Sequence, residues 1–289
     1  MTYQLVTDSC CDLPYTWLKE QNIPFISMSV MLDGKEYFDD LGETFKPEWM
    51  VEQLHQGGMP TTSQINVGRY QEFFTPFVEK GIPLLYLCFS SGLSGSYQSA
   101  LQAVALIKED YPSADIIVFD TLNASLGEGL MVHYANALQK AGKSRAEVLA
   151  WCEENALRVH SFVKVDDLDH LKRGGRISKT AAVLGSLMNI KPMIIMDASG
   201  KLQNVGKVRG TNKALDQLAK DTVDNIENPE EQVLFIAHSD DLHNAEIVKK
   251  KIMDQIKVQD IIIYPLGATI ASHTGIGCIA VFSIGNKRK

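Results

Sequence analysis

Apolar positions along this chain fall into two alternating rhythms. Short runs such as Leu84–Phe89 and Ile116–Phe119 predict buried parallel strands. Helical spacing follows the first run, at Tyr97, Ala100, Leu101, Val104 and Ile107, and Ser125–Gln139 predicts a helix after the second. Nearer the start, Tyr3–Thr7 predicts a strand and Pro14 opens a helix over Tyr15–Gln21. Ile23–Leu32 is extended, with Ile26, Met28 and Val30 alternating against serines, and Asp33-Gly34 turns it into a hairpin with Lys35–Phe38. Pro47 opens a helix that Gly57-Gly58 closes, and Val67–Lys80 predicts another that Gly81 stops. Ser144 with Glu147 makes a capping box for a helix to about Arg158.

Near Val159–Phe162 the pattern changes, which predicts a boundary between residues 1–160 and 161–289. Beyond it, Ser161–Val165 predicts a strand, Asp167 caps a short helix, and Lys179–Met188 predicts a further helix. Lys191–Met196 and Leu202–Val208 flank Asp197-Ala198-Ser199-Gly200 as an antiparallel hairpin. The helix Asn212–Val223, strands at Gln232–Ala237 and Asp260–Pro265 around the helix Leu242–Ile256, and a closing strand Cys278–Ser283 complete the pattern. The expected fold class is α/β, with a parallel sheet flanked by helices in the N-terminal domain and a mixed sheet in the C-terminal one.

Composition narrows the function. Of 289 residues, 45% are hydrophobic and 22% charged, as in an ordinary globular protein, and the net charge of -7 argues against a nucleic-acid surface. No apolar stretch approaches the roughly 20 residues of a membrane span, and MTYQLVTDS has no signal-peptide pattern, so a cytoplasmic protein is expected. Five cysteines, two of them the adjacent Cys10-Cys11, show no zinc spacing, and no metal or cofactor is expected.

The candidate chemistry lies in polar loops. Ser90-Ser91-Gly92-Leu93-Ser94-Gly95-Ser96 joins a strand to a helix N-terminus, where free N–H groups suit an anion. No Lys follows for a phosphate loop, no Gly-x-Gly-x-x-Gly is present, and Ser96 stands where a hydrolase elbow needs its last Gly. Hydroxyls without a cation suit a carboxyl; the alternative is that Ser94 only caps the helix. Pro60-Thr61-Thr62-Ser63-Gln64 reads as a second hydroxyl-rich turn, opening with the first at one end of the sheet. Arg173-Gly174-Gly175-Arg176 puts cations on a loop, and His273 sits in the Gly-rich loop Ala271–Gly277.

Thr7-Asp8-Ser9, Thr61–Gln64, Ser90–Ser96, Asp166-Asp167-Leu168 with Leu171–Ser178, Lys191-Pro192 and His273-Thr274-Gly275 together resemble the DegV family in order and spacing. The resemblance implies two α/β domains enclosing a long-chain fatty acid such as palmitate or oleate, in a tunnel at the interdomain cleft. For FakB-type members it implies presentation of that acid to a separate ATP-dependent fatty acid kinase subunit, which makes acyl phosphate. It assigns carboxyl contacts to Thr62 and Ser94, with Ser63, Ser91 and Gly95 beside them, Arg176 and His273 completing the polar network, and Arg209 facing the kinase. Ile65 and Ile276 stand where the family usually has Pro, a residue that stiffens the backbone.

Two other readings compete with a non-enzymatic carrier. In one, Ser94 is the nucleophile of an acyl hydrolase, His273 its base, and Asp8 or Asp120 the orienting acid. In the other, a sugar phosphate or nucleotide binds, which requires the arginines of the Arg173–Arg176 loop to face the Ser90–Ser96 turn.

Overall fold

Apolar runs become strands at the centre of each half of the chain. The computed structural model describes residues 3–178 and 189–288. The first half forms β1 (Gln4–Asp8), α1 (Tyr15–Glu20), β2 (Phe25–Ile26), β3 (Ser29–Leu32), β4 (Lys35–Phe38), α2 (Pro47–His55) and β5 (Thr61–Ser63). It continues through α3 (Val67–Val78), β6 (Leu84–Cys88), α4 (Ser96–Asp110), β7 (Ile116–Asp120), α5 (Leu126–Lys140) and α6 (Arg145–Asn155). The second half forms β8 (Val159–Lys164), α7 (Asp169–Arg173), β9 (Ile190–Met196), β10 (Leu202–Arg209) and α8 (Thr211–Asn225). Then come β11 (Val233–His238), α9 (Leu242–Met253), β12 (Asp260–Pro265), α10 (Ala268–Thr274) and β13 (Ile279–Ile284). The helix expected over Lys179–Met188 lies outside the described residues.

The two-domain α/β fold expected from the sequence is present. In the first domain β2-β1-β6-β7 make an all-parallel sheet. β6 is buried along its whole length because helices cover both faces. Leu84, Tyr86 and Cys88 pack with α3 and α4, and Leu85 and Leu87 pack with α5. In the second domain the order is β10-β9-β8-β13-β11-β12, antiparallel throughout except for β11 with β12. Its outer face packs with α8 and α9, while Phe282 and Ala280 of the inner face join the core that holds α5. The sheet of this domain begins with β8 at Val159, two residues before the expected boundary.

Buried almost all round, α5 is the layer between the two sheets. Two of its glycines meet close neighbours. A Cβ on Gly129 would lie 2.5 Å from the Cys11 carbonyl oxygen, and one on Gly127 would lie 3.1 Å from the Phe282 ring.

Two expectations are corrected. Thr61–Ser63 is not a turn of the parallel sheet but strand β5 of a separate antiparallel sheet, β4-β3-β5, with Thr62 opposite Val30. Pairing with β3 overrides the weak strand preference of a polar segment. His273 is not in a loop; it occupies the last turn of α10, and the chain leaves the helix only at Gly275, whose φ is +71°.

Candidate functional site

α10 is a short helix whose N-terminal N–H groups need acceptors, and the first domain supplies them. Asp12 Oδ1 accepts from Gly267 N at 3.1 Å, and Asp39 Oδ2 accepts from Thr269 N at 2.7 Å. Burial raises the pKa of both carboxyls, Asp12 well above the ordinary value, while these hydrogen bonds pull the other way. At the opposite end, His273 Nε2 lies 2.8 Å from Thr62 Oγ1 on β5. One helix of the second domain is thus tied at both ends to the first.

His273 is held neutral. Burial first, then the charges of Arg176 and Arg173 and nearby His170, push its pKa down to about 4. Its Nδ1 is buried without a partner, and a Cβ on Gly174 would come within 2.1 Å of that atom. Gly174 therefore lets the α7 loop close over the imidazole. From the same loop, Arg176 donates from Nε to the Leu93 carbonyl at 3.1 Å and from Nη1 to the Gly174 carbonyl at 2.5 Å. Its guanidinium spans the two domains.

The Ser90–Ser96 turn is a joint as well. Ser90 Oγ donates to the Gly200 carbonyl at 2.7 Å, and Gly92 allows the approach of the β9–β10 turn: a Cβ there would lie 2.5 Å from the Gly200 carbonyl oxygen. Ser94 Oγ lies 2.9 Å from Ser96 Oγ, and Ser96 Oγ accepts from Ile65 N at 3.1 Å. That last bond needs an N–H, which a Pro at position 65 would lack. Gly95 leaves room for Gln64, whose Oε1 would stand 2.0 Å from a Cβ.

A narrow cleft runs between the domains, and its wall is almost wholly apolar. Alternate residues of three strands form its floor: Ser161 and Val163 of β8, Ile194 and Met196 of β9, Ala280 and Phe282 of β13. Met28, Phe89, Leu93, Leu266 and Ile270 contribute from the other elements. Thr62, Arg176 and His273 line this cleft and also a shallow outer pocket with Thr61, His170 and Arg173. These three polar residues stand between an apolar interior and a basic surface pocket.

Of the residues singled out in the sequence, Thr62, His273 and Arg176 come together. The turn reaches the cleft through Leu93, with Ser94 and Gly95 immediately behind. Ser63 and Ser91 are exposed and outside the lining, and Ser91 gives its N–H to Asp120 Oδ1 at 3.1 Å. Arg209 is exposed at the end of β10. The hydrolase constellation is not assembled, since Ser94 pairs with Ser96 and His273 with Thr62. Asp8 accepts from Tyr86 Oη and the Phe89 and Cys10 N–H groups, and Asp120 accepts from Ser91 and Leu122. Sequence reasoning missed Asp12 and Asp39 as anchors of α10. It also missed the floor, although the alternation in SFV, IIM and AVF was its signal. Among the described residues no group of His, Cys, Asp or Glu could hold a metal, and no helix is long and apolar enough to cross a membrane.

Two α/β domains close on an apolar cleft with a polar, basic mouth. The chain belongs to the DegV family: the family model for these uncharacterised proteins matches residues 2–286. A DegV domain-containing protein of Clostridium perfringens, CPE0026, is 44% identical over 99% of both chains. A DegV family protein from Thermus thermophilus whose structure is described by its fatty acid binding is 31% identical, with a TM-score of 0.88 over 99% of this chain and 100% of that one. The Streptococcus pneumoniae fatty acid kinase B3 protein, solved with linoleic acid, shares the fold at a TM-score of 0.84 and 21% identity, over 99% of this chain and 100% of that one.

Proposed function

We propose that this protein binds a long-chain fatty acid with its carboxyl at Thr62, His273 and Arg176 and its acyl chain in the interdomain cleft. The observation that carries this reading is the cleft itself, whose wall is apolar except for a few polar residues, with those three at its mouth. A chain of about fourteen CH2 groups at roughly 0.8 kcal/mol each would gain on the order of 11 kcal/mol from burial, before ordering costs. The mouth then sets polarity. A desolvated carboxylate needs its oxygens hydrogen-bonded, which the Thr62 hydroxyl and the Arg176 guanidinium supply, with Ser94 as the second hydroxyl.

In this reading the protein is a cytoplasmic carrier rather than an enzyme. The outer basic pocket exposes the carboxyl side to a separate kinase, which transfers the γ-phosphoryl of ATP to the carboxylate and releases ADP. Arg209 belongs to the kinase-facing surface. The carrier role is tested by mass spectrometry of lipid extracted from the purified protein: a long-chain acid is expected, and no bound acid with no uptake of added palmitate or oleate sinks it. Presentation is tested by adding a fatty acid kinase subunit and ATP and trapping acyl phosphate with hydroxylamine.

The phosphate reading retains one supporting contact, since Arg176 does face the Ser90–Ser96 turn. Inorganic phosphate that displaces bound palmitate would favour it. The apolar interior behind Arg176 favours the acid.

A further inference from the structure

The floor of the cleft carries one hydroxyl. Ser161 is 4% exposed, lines the cleft, and its Oγ has no hydrogen-bond partner. A buried hydroxyl left unpaired is costly, and native interiors rarely keep one without a reason. The other hydroxyls on the wall have a partner or an acceptor beside them. Thr62 pairs with His273, Ser125 Oγ donates to Asp12 Oδ2 at 2.5 Å, and Thr274 Oγ1 donates to the Ile270 carbonyl at 3.1 Å. Thr269 Oγ1 is also unpaired, but it stands beside the Asp39 carboxylate, which takes the Thr269 N–H, so a strong acceptor is at hand. Ser161 Oγ makes no hydrogen bond. α5 brings Gly127 close to it, without a side chain, and the facing residue on β13 is Phe282.

The register gives its depth. β8 runs toward α7 and Arg176, and β13 runs away from α10 and His273, so the lining pair Val163 and Ala280 is nearer the mouth. Ser161 and Phe282 are the deeper pair, about 7 Å further along the strands. Ser161 therefore lies, with its Oγ beside Gly127 of α5, along the part of the cleft that would hold the distal portion of an acyl chain.

We propose that Ser161 is a specificity residue for acyl chains that bear a hydroxyl group in their distal half, so that the site takes hydroxylated long-chain acids. This rests on the fatty-acid reading above. A saturated chain offers Ser161 nothing. A chain hydroxyl entering the same dry space would itself be unpaired, and the two groups satisfy each other as donor and acceptor.

The test measures binding of stearate, 10-hydroxystearate and 12-hydroxystearate to the wild-type protein, Ser161→Ala and Ser161→Thr. Wild type is expected to bind at least one hydroxy acid as tightly as stearate. Ser161→Ala is expected to weaken that hydroxy acid about tenfold relative to stearate, and Ser161→Thr to restore the ratio. Stearate serves as the control for folding. Discrimination unchanged in Ser161→Ala overturns the proposal, as does rejection of both hydroxy acids by wild type. Failure of stearate itself to bind wild type overturns the fatty-acid reading and this inference with it, whereas a failure confined to the hydroxy acids leaves that reading standing.

Discussion

The mouth of the cleft and its floor are built on opposite principles. The mouth collects Thr62, Leu93, Gly174, Arg176 and His273 from separate segments and holds them by hydrogen bonds across the domain boundary. The floor is a periodic surface, every second residue of three neighbouring strands. In the proposed function the floor supplies affinity, in proportion to area, and the mouth supplies direction. Substitutions in the two regions should therefore separate: a floor change that fills the cleft affects every chain of sufficient length, whereas a mouth change affects acids and spares neutral analogues.

The largest effect is expected on the floor. Ala280 is buried and lines the cleft, so Ala280→Phe would occupy space the acyl chain needs. Exclusion of even four methylenes removes roughly 3 kcal/mol, about a hundredfold in affinity. Palmitate and palmityl alcohol should lose binding alike in a titration. Equal loss with unchanged thermal unfolding keeps the comparison; selective loss of the acid breaks it.

Next comes the charge state of the mouth. His273 has its pKa lowered from 6.5 to about 4, so the folded protein resists a proton that the unfolded chain accepts. The stability this neutral imidazole confers is fully present above pH 6.5 and is lost as pH falls toward 4, by about 3 kcal/mol over that interval. Urea unfolding across this range should show the loss in wild type and a shallower slope in His273→Gln. Identical slopes would mean that the imidazole is not held neutral.

How far the sequence revealed these regions follows the same division. β6 and the β9–β10 hairpin are legible because apolar runs and turn residues act locally, and the Ser144 and Glu147 capping box forms as expected. β5 is not, because Thr61-Thr62-Ser63 is a strand only through its pairing with β3. Nor is α10: its ending in Ser272-His273-Thr274 has little helical preference, and its N-terminal N–H groups find Asp12 and Asp39 more than two hundred residues earlier in the chain. At the mouth, the motif residues Thr62, Arg176 and His273 line the cleft, whereas in the Ser90–Ser96 turn Leu93 faces inward and Ser94 pairs with its neighbour. Such contacts are set by domain packing, and no local rule contains them.

A smaller and more selective effect is expected at Arg176. Its guanidinium is half-buried and braces Leu93 as well as facing the cleft, so Arg176→Gln keeps some hydrogen bonding while removing the charge. A charge-assisted hydrogen bond contributes about 1.5–3 kcal/mol, so palmitate should bind roughly ten- to a hundredfold more weakly. Palmityl alcohol should change little. If both ligands weaken equally, Arg176 is holding the Ser90–Ser96 turn in place rather than the carboxylate.

Thr62 is the finest probe. Thr62→Val keeps the shape and the β5 pairing with β3 while deleting the hydroxyl that meets His273 Nε2. The loss of one hydroxyl hydrogen bond, about 1 kcal/mol, predicts a fivefold weaker palmitate affinity, again sparing the alcohol. Combined with Arg176→Gln, it separates two accounts of the mouth. If both groups bind one carboxylate, the double variant should lose less than the sum of the single losses, because each single change already loosens the head. Strict additivity would show that Thr62 acts only on His273 and that the carboxylate rests on Arg176 without it.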